Sequence, residues 1–293
     1  MNPAHLEIDF GAERERANAQ ALELWETYGC FVARDLMPPR EVQQIRHELS
    51  RLIQLMLQDA GIEHEPQPGD RFDAGFDRLA QQSPERVEAI FGAARRLTSV
   101  HQFSVHRALL ELSQVLMKTD MVMSSPYKPV RIDHEVREGA LLGWHQDYPY
   151  AHDSMDSVVY WMPLQDVNGS NGCVRVIPGS HRAGVRPVVM LEPPPGIGNG
   201  IRGIRLADPD SVASLSSIEI PVRAGDVLVF STCLLHRSQK NTTPQARWTV
   251  QVRHGNFLYP QAIQKHWPRG HYERHWFDET HPELVVSLGD EEA

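Results

Sequence analysis

The chain is poor in cysteine, has no long apolar run and is short of basic residues, and each shortage closes off a class of protein. Cysteine occurs three times in 293 residues (Cys30, Cys173, Cys233) and never as C-x-x-C. A disulfide framework is therefore not expected, and a reduced, cytoplasmic setting is. No stretch of about 18 apolar residues is present, so no transmembrane helix and no membrane role are expected. The opening segment MNPAHLEIDFGAERER lacks the charged-then-apolar pattern of a secretion leader. Lys and Arg number 29 against 38 Asp and Glu, a formal charge of −9, and the basic residues are scattered. That balance argues against a nucleic-acid partner. Internal repeats and low-complexity linkers are missing too. At 41% hydrophobic and 23% charged, the chain can still bury a substantial core. The abundant residue is histidine, with 15 copies.

Two kinds of pattern divide the chain. The first 120 residues read mostly as helix. Glu13 to Thr27 is rich in Ala, Leu, Glu and Arg, with Gly29 placed to end the helix. Cys30 to Ala33 is a short strand candidate. Pro38-Pro39-Arg40 then opens a helix reaching about Ala60, whose Val42, Ile45, Leu49, Leu52, Ile53 and Met56 share one face. Arg86–Leu97 and Val105–Met117 suit further helices. From about 120 to 260 the chain offers short β-branched runs broken by Gly, Pro and Asn: 130–132, 157–162, 174–177, 218–222, 227–235 and 247–252. Several short strands without intervening helices predict an antiparallel barrel or sandwich. The long segment 184–215, with its Pro193-Pro194-Pro195 run, reads as a loop and candidate lid. The expectation is one domain over 1–293: helical support to 120, a β core to 260 and a C-terminal extension over 261–293.

The candidate centre is Trp144-His145-Gln146-Asp147. Residues i and i+2 of a strand share a face, so His145 and Asp147 are placed to ligate one ion. The spacing alone carries little weight. Chance predicts about two His-x-acid triplets in such a composition, and the chain has four, at His5, His145, His271 and His281. Context separates His145. It lies among strands, and a second histidine, His236, ends the apolar run 227–235. Two imidazoles and one carboxylate are the ligand set of non-haem Fe(II) oxygenases. A hairpin centred between Asn241 and Thr242 would set Arg247 opposite His236 on the same face, with Thr249 two residues along. A guanidinium deep in a barrel suits a dicarboxylate, because its planar fork pairs with a carboxylate in bidentate fashion.

These segments together resemble the phytanoyl-CoA dioxygenase family of Fe(II)/2-oxoglutarate-dependent oxygenases. Four pieces match in order over about 140–255: the metal motif at 144–147; the run 158–167 followed by Asn171-Gly172-Cys173 and Pro178-Gly179-Ser180-His181; Ala224-Gly225-Asp226 leading to His236-Arg237-Ser238; and Arg247, eleven residues after His236. The resemblance implies a double-stranded β-helix, the jelly-roll or cupin-like barrel, supported by N-terminal helices. It implies His145, Asp147 and His236 as Fe(II) ligands. Arg247 would bind the distal carboxylate of 2-oxoglutarate, with Ser238 and Thr249 as secondary contacts. It further implies O2 as oxidant, a small-molecule substrate, and release of succinate and CO2. Halogenating relatives replace the carboxylate ligand with a small residue, so Asp147 favours hydroxylation or a related oxidation.

Other residues draw weaker expectations. Arg131 and Asp133 share parity on the strand entering the metal motif and are candidate substrate contacts. Tyr148, Tyr150 and His152 would shape the cavity mouth. Tyr160 and Trp161, candidate substrate contacts like Tyr148, alternate, so one lines the barrel and the other packs beneath helices. His181 reads as a structural residue in a turn, and Arg202 and Arg205 as solvated loop charges. Two rival readings use the same residues: a zinc-dependent hydrolase, which leaves Arg247 without a role, and a non-catalytic small-molecule-binding barrel.

Overall fold

The computed structural model describes all residues except 1, 12, 127–128, 135–141, 152–153, 192–202, 268–274 and 287–293. In chain order, β1 (Glu7–Asp9), α1 (Arg14–Tyr28) and β2 (Cys30–Arg34) lead into α2 (Pro39–Asp59), α3 (Phe76–Gln82), α4 (Pro84–Ala94), α5 (Thr98–Ser104) and α6 (Arg107–Met117). Then come β3 (Val122–Ser124), β4 (Val130–Asp133), the short α7 (Tyr148–Ala151), β5 (Ser157–Pro163), β6 (Val174–Val176), β7 (Val188–Met190), β8 (Ile204–Leu206) and α8 (Pro209–Ala213). The chain continues through β9 (Ile218–Ile220), β10 (Val227–Ser231), β11 (His236–Ser238), β12 (Arg247–Asn256), α9 (Pro260–Gln264) and α10 (His275–Thr280).

Helix boundaries follow local chemistry. α1 ends on Gly29 at φ 73°, whose N–H donates to the Trp25 carbonyl. A side chain there would collide with the His181 ring, which packs against this glycine. Proline opens both α2 and α4 at positions where its missing N–H costs nothing. The sequence pattern misses α3 and α5, each seven residues long and too short for a clear apolar stripe.

The larger sheet has seven strands in the order β1-β2-β10-β5-β12-β3, with β4 also pairing β12. Only the β1–β2 pair is parallel. Side-chain alternation gives this sheet two unlike faces. Phe31, Val229, Tyr160, Met162, Trp248 and Val250 pack with Ile45, Leu49 and Ile53 of α2 and Leu109 and Leu112 of α6 in one core. The opposite face offers Val32, Leu228, Phe230, Val159 and Trp161. These pack with Val174, Val176 and Ile220 of a three-stranded sheet, β11-β6-β9. The molecule is therefore a helix layer, a large sheet and a small facing sheet.

Four expectations need correction. The sheets face each other without closing into a barrel among the described residues. The run 227–235 is not one strand. β10 stops at Ser231, whose carbonyl accepts from Leu234 N–H, and the chain crosses to the small sheet before His236. The hairpin setting His236 against Arg247 consequently does not form: His236 pairs with Val176, and Arg247 pairs with Asp133 of β4. Tyr160, a candidate substrate contact, lies on the helix side. Its hydroxyl meets Ser113 Oγ at 2.6 Å and donates to the Leu109 carbonyl at 3.0 Å.

The candidate lid has more order than a loop. β7 and β8 pair antiparallel and α8 follows, while 192–202 lie outside the described residues. Burial pushes the Cys30 and Cys233 thiols up to about 12, and all three cysteines are free and buried. No described helix is long and apolar enough to cross a membrane.

The Tyr160 placement is testable. Tyr160→Phe should lower unfolding free energy by about 1–2 kcal/mol in a urea titration, because it removes a buried hydroxyl with two partners. No measurable change would mean that the hydroxyl is not engaged there.

Candidate metal centre

The ligand group is built from one backbone exchange. His145 N–H donates to the His236 carbonyl and His236 N–H returns the bond to His145, both at 3.0 Å. This isolated antiparallel bridge adds the 145 segment to the edge of β11. Directly opposed residues share a face, so the two imidazoles stand side by side, ring centres 4.2 Å apart. Phe230 from the large sheet packs on the His236 ring at 4.6 Å.

Each ring is oriented from behind. His145 Nδ1 lies 2.8 Å from the Gly143 carbonyl, and His236 Nδ1 lies 3.0 Å from the Leu234 carbonyl. A carbonyl only accepts, so Nδ1 carries the proton in both rings and Nε2 presents a lone pair. Both Nε2 atoms converge on Asp147 Oδ1, at 3.6 Å from His145 and 3.5 Å from His236. Donors held about 2.1 Å from a first-row ion stand about 3.0–3.6 Å apart for angles of 90–120°. The spacing fits one such ion, and His145, Asp147 and His236 form the one group of ligating side chains able to hold a metal among the described residues.

Electrostatics keep these groups in ligand form. Burial, with the neighbouring His145, pushes His236 down to about 3, so it is a neutral imidazole at ordinary pH. Burial alone would raise Asp147. The Arg253 guanidinium more than offsets that and holds the carboxyl well below the usual range. Arg253 donates to Asp147 Oδ2 through Nε at 2.9 Å and Nη2 at 2.6 Å, which leaves Oδ1 toward the histidines.

The second cluster of interest lines β12. Arg247, Thr249, Gln251 and Arg253 alternate onto the face turned to the small sheet. Arg247 is 1% exposed, pairs with Asp133 Oδ2 through Nη2 at 2.6 Å, and lies 5.9 Å above the Trp161 ring. Its Nε and Nη1, with Thr249 Oγ1, are buried without a hydrogen-bond partner. Buried donors without partners are costly, and here several sit on one wall. Gly172, at φ 87°, completes the cleft: a Cβ there would stand 3.1 Å from Arg247 Nη1 and 2.5 Å from the Gln239 carbonyl. Arg247 thus reaches the space between the sheets from the wall opposite His236, not from a neighbouring strand.

The remaining candidates sort by their partners. Asp133 and Arg131 are engaged with charges, Asp133 with Arg247 and with Arg131 Nη2 at 3.4 Å. Ser238 lies two residues beyond His236 on the same face of β11. Tyr150 sets its ring edge-on to His145 at 5.8 Å and donates to the Ile204 carbonyl of β8. Tyr148 turns away, its hydroxyl 2.7 Å from His281 Nε2. His281 in turn hydrogen-bonds Glu283 through Nδ1 at 3.0 Å, so that His-x-acid triplet is engaged outside the ligand group. His181 packs on Gly29, and Arg205 is exposed. His152, Arg202 and His271 lie outside the described residues.

Sequence reasoning missed Arg253 and Gln146. Arg253 shares parity with Arg247, but the strand was expected to end at Val252. Gln146, 1% exposed, faces away from the ligands. It donates to the carbonyls of Gly184 and Cys233 at 2.8 and 2.6 Å and accepts from Arg186 N–H at 2.7 Å, tying the ligand segment to the base of the β7–β8 hairpin.

Two buried histidines and one carboxylate converging beside facing antiparallel sheets define the class of non-haem iron oxygenases. The chain belongs to the phytanoyl-CoA dioxygenase family, whose sequence pattern matches residues 25–249. Among curated relatives, a phytanoyl-CoA dioxygenase domain-containing protein 1 homolog from Dictyostelium discoideum is 27% identical over 104 residues. That match spans 35% of this chain and 36% of the relative, about a third of its length. An L-proline trans-4-hydroxylase from Streptomyces griseoviridis is 28% identical over 194 residues, 59% of this chain and 71% of that protein. Among solved structures, the non-heme alpha-ketoglutarate-dependent epimerase SnoN from nogalamycin biosynthesis has the same fold, with a TM-score of 0.55 at 16% identity over 83% of this chain and 84% of that one. SnoN has also been solved with Fe3+, alpha-ketoglutarate and nogalamycin RO.

Thr249 gives a test of the unpartnered wall. Thr249→Val keeps the shape and removes a buried hydroxyl with no partner, so unfolding free energy of the metal-free protein should be unchanged or raised by up to about 1 kcal/mol. A clear loss of stability would show that the hydroxyl is already satisfied.

Proposed function

We propose that the protein is an Fe(II)/2-oxoglutarate-dependent oxygenase that hydroxylates an unactivated C–H bond of a small molecule. Substrate, 2-oxoglutarate and O2 are converted to hydroxylated product, succinate and CO2. The observation that carries this reading is the pairing of two features across the cleft. Three converging donors sit on one wall, and a fully buried arginine with unpartnered N–H groups sits on the other.

The residues fit the absent groups. His145, Asp147 and His236 would hold Fe(II), leaving further positions open on the ion. Arg247 would receive the distal carboxylate of 2-oxoglutarate through Nε and Nη1, with Thr249 and Ser238 beside it. When bound, iron and 2-oxoglutarate supply the oxidising chemistry, with succinate and CO2 as the spent co-substrate. The chain does the rest. Carbonyl-bound Nδ1 atoms fix both imidazoles, and Asp133 holds Arg247 so that its free edge lies in the cleft. The β7–β8 hairpin, tied to the ligand segment through Gln146 and Tyr150, screens the site from water. The relative named for hydroxylating L-proline supports a small metabolite as substrate. Trp161 and Arg131 line the inner wall and are proposed to bound the cavity.

Anaerobic titration with Fe(II) and then 2-oxoglutarate should produce a weak visible charge-transfer band, and its absence would reject the reading. Asp147→Ala should retain the wild-type circular dichroism yet lose both that band and succinate formation. Arg247→Ala should raise the 2-oxoglutarate concentration for half-maximal turnover by about 100-fold, the cost of losing a bidentate charged pair. An unchanged requirement would place the anchor elsewhere.

A further inference from the structure

The Arg253–Asp147 contact has a geometry that an ordinary stabilising ion pair does not need. A guanidinium usually meets a carboxylate fork to fork, one nitrogen per oxygen. Here Nε and Nη2 both fall on Oδ2, at 2.9 and 2.6 Å, and Oδ1 is left to the two histidines. A carboxylate loaded this way offers a metal one oxygen, not two. Arg253 is itself held in place. Gln251 Oε1 accepts from Nη2 at 3.4 Å, and the Arg253 carbonyl accepts from Ser125 N–H. That bond forms where β12 passes from its pairing with β4 to its pairing with β3. Its third nitrogen, Nη1, is buried without a hydrogen-bond partner. Because the guanidinium is rigid and planar, Nη1 stands no more than about 5 Å from the same carboxylate.

We propose that Arg253 is a positioning residue of the metal centre: it holds Asp147 as a one-oxygen ligand and offers Nη1 to the chelating carboxylate of the 2-oxo acid. The inference rests on the oxygenase reading and deepens it. Arg247 would grip the distal end of the co-substrate, and Arg253, six residues along the same face of β12, would meet the end beside the ion. Such a residue acts through the ligand it orients, so its loss is read first in metal binding. Partners of this kind are worth roughly 10–100-fold in metal affinity.

The test is anaerobic titration of the full chain with Co(II), which reports binding by its visible spectrum without turnover. Arg253→Gln should weaken Co(II) binding by about 10–100-fold and alter the band intensity as the carboxylate becomes free to bind through both oxygens. Arg253→Lys, which keeps the charge and loses the fork, should bind with intermediate affinity. In turnover with Fe(II), Arg253→Gln should raise the 2-oxoglutarate requirement even at saturating metal. Wild-type Co(II) affinity and spectrum in Arg253→Gln would overturn the proposal. Should Arg253→Gln fail to fold, wild-type affinity and spectrum in Arg253→Lys would overturn it equally, because charge alone would then suffice. Asp147→Ala separates the two levels. If it binds Co(II) as well as the wild type, the metal centre itself is misassigned; if it loses Co(II) while Arg253→Gln does not, only the role of Arg253 fails.

Discussion

The reciprocal backbone hydrogen bonds between His145 and His236 are the constraint on which the site depends. The residues lie 91 positions apart, and they meet through an isolated bridge and not through a continuous strand ladder. One antiparallel bridge fixes both Cα positions, sends both side chains to one face and leaves the rings 4.2 Å apart. Every later refinement assumes that spacing: the carbonyls behind Nδ1, Phe230 against the His236 ring, Asp147 facing both Nε2 atoms. A chelating group assembled by backbone pairing is also rigid, because the bridge cannot slip by one residue without turning a ring to the other face.

The space between the sheets is apolar at one end and ionic at the other. Toward β2 and β10 it is filled by Val32, Leu228 and Phe230. Toward β4 and β12 it holds Arg131, Asp133, Arg247, Arg253 and Asp147, most of them deeply buried. Charges removed from water are costly unless paired, and among the described residues Arg247 and Arg253 each meet their aspartate with only part of the guanidinium. The unpartnered nitrogens of Arg247 and Arg253 are understandable as capacity reserved for an anionic ligand, and its arrival would stabilise the folded chain by mass action.

Residue parity made much of this legible in advance, and its failures have physical causes. The i, i+2 rule brought His145 and Asp147 together, although residue 145 forms an isolated bridge and no strand, and the apolar stripe of α2 fell where Val42, Ile45, Leu49 and Ile53 predict. The path from Phe230 to His236 was misread because Val227 to Leu235 is uniformly apolar. Only Ser231 and Thr232 mark the turn, and a two-residue polar break inside such a run is weak evidence for a crossing. Arg247 was drawn toward the cleft by a hairpin that does not exist. It arrives because β12 belongs to the opposite sheet, where the same parity holds. Tyr160 and Trp161 had to occupy opposite faces, and which face was which depended on the helix layer, a tertiary fact. Arg253 escaped notice because nothing local separates it from a solvated strand-end charge; its partner is 106 residues away.

Asp133 shows how the cleft can discriminate between anions. It sits directly opposite Arg247 in the β4–β12 register and takes Nη2. The charge of Arg247 is thereby partly offset, so a weakly held inorganic anion gains less by entering. Nε and Nη1 still lack acceptors, however, and a ligand that leaves them bare leaves that desolvation uncompensated. A monocarboxylic 2-oxo acid chelating an ion beside Asp147 would place no acceptor at Arg247. A dicarboxylic one of the right length would satisfy both ends. Sites built around buried hydrogen-bonding groups reject analogues lacking the matching group by far more than apolar pockets reject a missing methylene. In the proposed reading, specificity for the co-substrate's length therefore comes from the spacing of two arginines along one strand, and not from the metal.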